Sequence, residues 1–306
     1  MLTLGNFRQS RFVLEDIGRV MKIARYGVMG LIIAGLGFSV PALGVGGEGP
    51  DDSAPASTLE LGYDLYVGGI SLGKVAMSAR FQGDDYKAIS TLETKGIVNA
   101  FWQAKIEASS NGLVSEGRVQ PALYDSFSQN RSAPRRHATL TFGPEGPKSL
   151  LSDPPYDDNR YPVSDGQRKK TLDPLSAAVF LTSNARLAPE KPCDALAPVF
   201  DGRRRYDVAF SFVKKIDVHM DNGLYSGPAL VCAIHYNQIA GYQQSVIDQN
   251  KKFPKMYAWV VAAKSSADPK RTYLIPVRVW AETDYGIVVA LASQAKLDGQ
   301  PLSHGS

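Results

Sequence analysis

One short stretch of the chain has the spacing of a catalytic serine motif. Gly69-Ile70-Ser71-Leu72-Gly73 matches G-x-S-x-G, in which a strand, a sharp turn and a helix expose a nucleophilic serine. The residues after Gly73 instead alternate between apolar and polar, which predicts a second strand and no helix. We therefore interpret these glycines as part of a hairpin and expect no catalytic role for Ser71.

The other groups that could act as acids, bases or ligands are scattered. Two adjacent carboxylate pairs, Asp84-Asp85 and Asp157-Asp158, lie in turn-like sequence, whereas general acid chemistry needs a carboxyl group perturbed by burial or a close partner. No glycine-rich phosphate-binding pattern occurs. We predict no catalytic residue, no metal site and no cofactor. The four histidines, none of them spaced as a ligand pair, are His137, His219, His235 and His304.

The two cysteines of the chain are Cys193 and Cys232. In an oxidising compartment, two lone cysteines favour a disulfide over a thiolate or ligand pair. The alternatives are two buried free thiols and a metal or nucleophile role, although zinc sites draw cysteines in close pairs. We predict a disulfide that closes a loop of about 40 residues and contributes roughly 4 kcal/mol in the chain-entropy treatment.

Basic residues occur in three clusters. Arginine binds phosphate and anionic lipid head groups through its planar fork, so Arg203, Arg204 and Arg205 are candidate anion contacts. The alternative is that such charges solubilise strand ends and protect sheet edges from pairing. Arg204 and Tyr206 would lie on the same side of a strand. The three clusters are Arg135-Arg136-His137, Arg168-Lys169-Lys170 and Arg203-Arg204-Arg205.

Residues 1–44 have the features of a secretory signal peptide. Lys22 and Arg25 precede an apolar block, and small residues precede a cut after Gly44. We expect translation to start at Met21 and the mature protein to be periplasmic. The alternative is an uncleaved anchor, because 22 uncharged residues lie between Arg25 and Glu48. We expect membrane contact only through this segment or peripherally.

The formal charge of +4 gives no reason to expect a nucleic-acid partner. Residues 1–44 hold five basic and two acidic side chains, which leaves only +1 for the rest. A nucleic-acid binder would show a concentrated basic face.

Beyond this segment, the alternation of apolar and polar residues dominates. It is clearest from Leu59 to Val67, and one buried face per strand is typical of antiparallel sheets. Gly68-Gly69 and Asp221-Asn222-Gly223 predict hairpin turns. The same alternation recurs at 75–81, 206–212 and 273–279.

One helix is predicted with clear ends, and a second candidate lies at 243–250. Asp173 is a suitable N-cap, Pro174 fits the first helical position, and an apolar stripe runs to Leu181. The sequence therefore predicts an all-β, mainly antiparallel fold: a large curled sheet forming a barrel or half-barrel, whose concave side one short helix could plug. We expect a flexible linker at 45–58, a single domain at 59–300 with an irregular insertion at 143–172, and a tail at 301–306.

The combination of these segments resembles the exported domain-of-unknown-function family 3108. The resemblance covers about 59 to 298 and implies a Gram-negative periplasmic or envelope protein rich in β-strand. It implies no established activity or cofactor, and only the pattern of Cys193 and Cys232 carries over. The residues that carry it are Tyr63–Gly69 with Leu72-Gly73, Asp173–Ser176, Pro192-Cys193, Pro198–Gly202, Arg205–Asp207, Gly227–Cys232, Ile239–Gly241 and Pro276–Arg278.

Three features favour a non-catalytic protein that binds a lipid-like or other apolar small molecule on the concave side of its sheet. These features are the predicted export, strands with a single apolar face, and the lack of residues spaced for catalysis. The alternative is a structural or interaction module of the envelope, with a closed core and another envelope protein as its partner. A hydrolase would need a histidine and a carboxylate converging on a serine or a water.

Overall fold

The computed structural model describes residues 55–95, 103–115, 117–130, 133–156, 161–183, 190–250, 254–283 and 286–302. The predictions for the signal peptide, Met21, Asp157-Asp158 and His304 lie outside these described residues. Across the described ranges, no helix has the length and apolar character needed to cross a bilayer.

Short helices interrupt a long series of strands. The described strands are β1 Ala56–Val67, β2 Ile70–Gln82, β3 Asp85–Thr94, β4 Ala104–Ser115, β5 Arg118–Asn130, β6 Ala133–Gly143, β7 Gly146–Asp153, β8 Ala195–Phe200, β9 Arg205–His219, β10 Ser226–Ala240, β11 Met256–Lys264, β12 Thr272–Thr283, β13 Gly286–Leu297 and β14 Gln300–Pro301. The described helices are α1 Asp165–Arg168, α2 Pro174–Ser183 and α3 Gln244–Asn250.

The strands form one antiparallel sheet in the order β7-β6-β5-β4-β3-β2-β1-β13-β12-β11-β10-β9-β8, with β14 beside β13. The predicted all-β antiparallel class is thus confirmed. Strand β1 buries every second side chain, as its alternation predicts. Both glycines of the β1–β2 turn have positive φ, of 52° and 82°, which glycine adopts without a steric penalty.

The sheet does not close into a barrel. Among the described strands, β7 and β8 are its two edges and are not hydrogen-bonded to each other. The residues between α1 and α2 link these edges instead. The Lys170 amide donates to Glu145 O in the β6–β7 turn at 2.8 Å, and the Leu172 amide donates to Pro198 O of β8 at 2.8 Å.

Three boundary expectations need correction. The segment 143–172 is not an irregular insertion throughout, because it contains strand β7 and helix α1; its turn-forming residues concentrate between these elements. Strand β1 begins at Ala56, inside the expected linker. Residues of the expected tail also join the domain, since Pro301 pairs with Lys296 and Leu302 is buried. The structure contains the predicted helix as α2 and the second candidate at 243–250 as α3, and it adds the short helix α1.

Helix α2 lies on the concave side of the curled sheet. It contacts β3, β4 and β5 in one half of the sheet, and β8 and β12 in the other. A helix that is buried on most sides is apolar almost all round, and α2 satisfies this condition. Its buried residues are Leu175, Ser176, Ala177, Val179, Leu181 and Thr182.

The predicted disulfide between Cys193 and Cys232 is present in the structure, with 6.4 Å between the Cα atoms. Cys193 lies just before the edge strand β8, Cys232 lies on β10, and β9 runs between them. Both cysteines are buried. The bond therefore fastens an edge of the sheet to its third strand.

Asp298 joins both ends of the domain. Its Oδ1 accepts hydrogen bonds from the Thr58 amide at 2.9 Å and the Ser57 hydroxyl at 2.8 Å, and its Oδ2 accepts from Ser265 Oγ at 2.6 Å and the Ala267 amide at 3.0 Å. Burial acts to raise the pKa of Asp298, but these hydrogen bonds outweigh it and lower the pKa below its usual range. The ionised carboxylate thus holds β1 to the loop before β12.

Candidate functional site

A cavity of about 180 Å³ lies between α2 and the concave face of the sheet. We call it the central cavity. Helix α2 contributes Leu175 and Leu181 to its wall, and the sheet contributes apolar side chains such as Leu61 on β1, Val208 on β9 and Ile234 on β10. Because these strands lie far apart in the sheet order, the curl of the sheet is what brings them around one space.

The described residues that line the central cavity include a few hydroxyls and no charged side chain. The Tyr63 hydroxyl donates to Pro276 O at 2.7 Å, and the Thr182 hydroxyl donates to Ala178 O at 2.8 Å. Burial raises the pKa of Tyr63 above its usual range, which keeps the phenol protonated. Ser90 adds a third hydroxyl from β3. This lining suits an apolar molecule.

The volume of the central cavity limits what it can hold. An engineered apolar cavity of about 150 Å³ stays dry and binds benzene or xenon, whereas pockets for drug-sized ligands are about 300–1,000 Å³. At about 180 Å³, the central cavity has room for a benzene-sized group or for one end of an acyl chain.

A buried carboxylate fixes the first turn of α2. Oδ1 of Asp173 accepts the Leu175 and Ser176 amides, each at 2.9 Å, which confirms the predicted N-cap. Oδ2 accepts the Ser110 hydroxyl at 3.0 Å and also the Ser176 hydroxyl. Burial raises the pKa of Asp173 to about 6, against the opposing effect of the hydrogen bonds from Ser176, Ser110 and Leu175.

This network extends from the helix into the sheet. Tyr86 on β3 places its hydroxyl 2.6 Å from Ser176 Oγ and 3.4 Å from Ser110 Oγ on β4. Tyr86, Ser110, Asp173 and Ser176 are all buried. They hold α2 at a fixed position over the sheet and so set the width of the central cavity. The sequence pointed to Asp173 alone, because its partners come from distant strands.

Among the described residues, the histidine contacts do not form a catalytic triad. His137 Nε2 lies 2.6 Å from Asp125 Oδ1 and 3.2 Å from Thr139 Oγ1. In a triad, the carboxylate and the nucleophile contact different ring nitrogens, whereas here both contact Nε2. His235 lies 3.2 Å from Ser211 Oγ, and His219 lies 3.2 Å from Ser226 Oγ.

The remaining sequence candidates also lie apart from one another. Ser71 is exposed at the start of β2, Asp84 is exposed in the β2–β3 turn, and Asp85 is exposed at the start of β3. Within the described ranges, no three His, Cys, Asp or Glu side chains are grouped in a way that could hold a metal ion. The absence of catalysis, metal and cofactor stays a prediction.

The three candidate anion contacts have different surroundings. Arg205 pairs with Asp207 at 2.6 Å and donates to Gln167 O at 3.1 Å. The Arg204 guanidinium lies over the Tyr242 ring, 5.6 Å from its centroid, and Arg203 is exposed. The structure therefore separates Arg205 from the other two, and anion binding here stays a prediction.

The chain is similar to one solved structure and to one protein family. One solved structure is similar, a β-barrel-like protein of domain of unknown function DUF1849 from Brucella abortus, with 11% sequence identity, a TM-score of 0.46, and coverage of 80% of this chain and 97% of that one. No curated protein matches significantly. The family described as "Protein of unknown function (DUF3108)" matches residues 62–293. The resemblance seen in the sequence is thereby confirmed, and the chain belongs to this family.

Proposed function

We propose that this is an exported, non-catalytic protein of the periplasm that binds an apolar, lipid-like molecule, or one end of it, in the central cavity. The observation that carries the proposal is the apolar space of about 180 Å³ between α2 and the sheet. Atoms that line an empty cavity lack dispersion partners, and an apolar ligand supplies them. Such a ligand stabilises the folded state by an amount that grows with the logarithm of its concentration once the site is mostly occupied.

The disulfide supports the proposed location. Disulfides form and persist in oxidising compartments such as the bacterial periplasm, and they are rare in the cytoplasm. Cys193 and Cys232 are bonded and buried, as expected for a structural disulfide. Together with the predicted signal peptide at 1–44, this favours export over a cytoplasmic location.

One observation favours a second candidate function, a structural or interaction module of the envelope with a closed core. The central cavity is smaller than a typical pocket for a drug-sized ligand, and α2 occupies much of the concave side. In that case the cavity is a packing defect, and the protein acts through its surface.

Binding of 1-octanol to the protein purified after export separates the two candidates. Ala178 lines the central cavity, so Ala178→Leu places three more carbon atoms in that space, whereas Ala76→Leu adds the same atoms on an exposed position of β2. We expect calorimetry to detect octanol binding to the wild type and to Ala76→Leu, and at least tenfold weaker binding to Ala178→Leu. Absence of octanol binding by the wild type, with no lipid in its solvent extract by mass spectrometry, would favour the closed-core module.

A further inference from the structure

Three arginines from two separate parts of the chain meet near Tyr156. The Arg136 guanidinium of β6 lies 4.6 Å from the centroid of the Tyr156 ring. The same ring borders the β8–β9 turn, since a Cβ placed on Gly202 would lie 3.7 Å from Tyr156 Cε2. That turn carries Arg203 and Arg204. We call Arg136, Arg203 and Arg204 the arginine cluster.

The β8–β9 turn is held in place from two sides. Oδ1 of Asp201 accepts the Arg203 amide at 2.9 Å and the Arg204 amide at 2.6 Å. Gly241 packs so closely against the turn that a Cβ there would overlap Arg203 O. The Arg204 guanidinium also lies over the ring of Tyr242. The position of the Arg204 guanidinium is therefore largely fixed before any ligand binds.

Within the described part of the chain, the arginine cluster carries more positive charge than its neighbours neutralise. The nearby carboxylate among these residues is Asp201, and one oxygen of that group already accepts two backbone amides. Within the described residues, no carboxylate forms an ion pair with these three arginines. Burial, with a smaller contribution from Asp201, raises the pKa of Tyr156, while the three arginines oppose that rise. All three guanidinium groups thus lie near enough to Tyr156 to affect its hydroxyl.

A row of tyrosines leads from the arginine cluster to the central cavity. The hydroxyls of Tyr242 and Tyr236 are 2.7 Å apart, and the rings of Tyr236 and Tyr206 are 4.9 Å apart. Tyr206 lines the central cavity. Arg204 lies in the turn two residues before Tyr206, and its guanidinium lies over the ring of Tyr242, the first tyrosine of this row.

We infer that the arginine cluster binds the anionic head group of an amphiphile whose apolar end occupies the central cavity. The inference rests on the proposed function and specifies its ligand class. Guanidinium groups bind carboxylate and phosphate through paired hydrogen bonds, and partial burial strengthens such contacts relative to open water. The neutral, apolar lining of the cavity suits only the other end of such a molecule.

Calorimetry with three probes tests this inference on the protein purified after export. Octanoate carries both an apolar chain and a carboxylate, 1-octanol carries the chain without the charge, and inorganic phosphate carries charge without a chain. We expect octanoate to bind at least tenfold more tightly than octanol or phosphate. The double variant Arg203→Gln/Arg204→Gln should lose that tenfold preference over octanol, whereas the matched control Lys214→Gln/Lys215→Gln, at two exposed positions of β9, should keep it.

The outcomes are distinguishable from those that test the central cavity. Equal binding of octanoate and octanol, or a preference unchanged in the double variant, would overturn the head-group assignment and leave cavity binding intact. Failure of both chain-bearing probes would overturn the proposed function as well. Phosphate binding as tight as octanoate binding would indicate an anion site unconnected with the cavity. If the double variant misfolds by circular dichroism, the exposed Arg203→Gln alone should still weaken octanoate binding severalfold, and no weakening would count against the inference.

Discussion

Replacing Asp173 with alanine removes one acceptor group from four buried donors. The backbone amides of Leu175 and Ser176 lose their partner, as do the hydroxyls of Ser110 and Ser176. Loss of an N-cap costs about 1 kcal/mol, and each buried donor left unpaired costs about 1–3 kcal/mol. Since the hydroxyls can turn toward one another and toward Tyr86, the amides dominate. We expect a loss of about 4 kcal/mol in unfolding free energy at pH 4.

The cost of Asp173→Ala should shrink as the pH rises. The pKa of Asp173 is about 6 in the folded protein against an ordinary value of 3.8, so between these pH values the folded state holds a proton that the unfolded state has released. In the wild type, the contribution of the Asp173 carboxyl group to the unfolding free energy is therefore fully present below about pH 4 and is lost as the pH rises through about 6. The difference of about 2 between the folded and unfolded pKa values corresponds to a decrease of about 3 kcal/mol in unfolding free energy.

Urea unfolding followed by tryptophan fluorescence at pH 4, 5, 6 and 7 measures both effects. Asp173→Asn retains an acceptor oxygen and cannot ionise, so it should unfold near the wild-type midpoint at pH 4 and lack this pH dependence. Ser164→Ala is the matched control, because Ser164 caps the exposed helix α1 and should cost about 1 kcal/mol or less. A cost of Asp173→Ala that stays constant or grows with pH would refute the reasoning.

Three further predictions concern the framework around the site. Asp298 has a lowered pKa in the folded protein, so its contribution to the unfolding free energy is present above about pH 4 and is lost in more acid solution. The variant Asp298→Asn should therefore be less stable than the wild type at pH 7 by about 2 kcal/mol or more. Acid titrations in which the variant and the wild type have the same stability at every pH would exclude this role. The double variant Cys193→Ser/Cys232→Ser should lose about 2–4 kcal/mol of unfolding free energy, and unchanged thermal unfolding would show that the cross-link contributes nothing. Gly241→Ala places a Cβ against Arg203 O at a φ of +85° and should cost about 2 kcal/mol or more, which a urea midpoint equal to that of the wild type would contradict.

The parts of the fold that depend on residues close together in the sequence could be predicted from the sequence. The alternation from Leu59 to Val67 appears as buried and exposed positions of β1. Asp173 before Pro174 marked the start of α2, because a cap acts on amides only two and three residues away.

The parts that depend on the curl of the sheet could not be predicted. Strand β7 lies at an edge and leaves Leu151 71% exposed, so its composition resembles that of a loop. Arg136 and Arg203 lie in different basic clusters of the sequence, and only the approach of the two sheet edges brings Arg136 and the turn that carries Arg203 beside Tyr156. The central cavity likewise depends on contacts between strands distant in sequence.

The most direct test of the central claim is a crystal structure of the exported protein under xenon pressure, since xenon enters dry apolar cavities of this size. The account predicts a xenon atom, or the chain of a co-purified lipid, between Leu175 of α2 and Leu61 and Ile234 of the sheet. A structure in which α2 has moved inward and filled this space with its own side chains, without bound xenon or lipid, would contradict it.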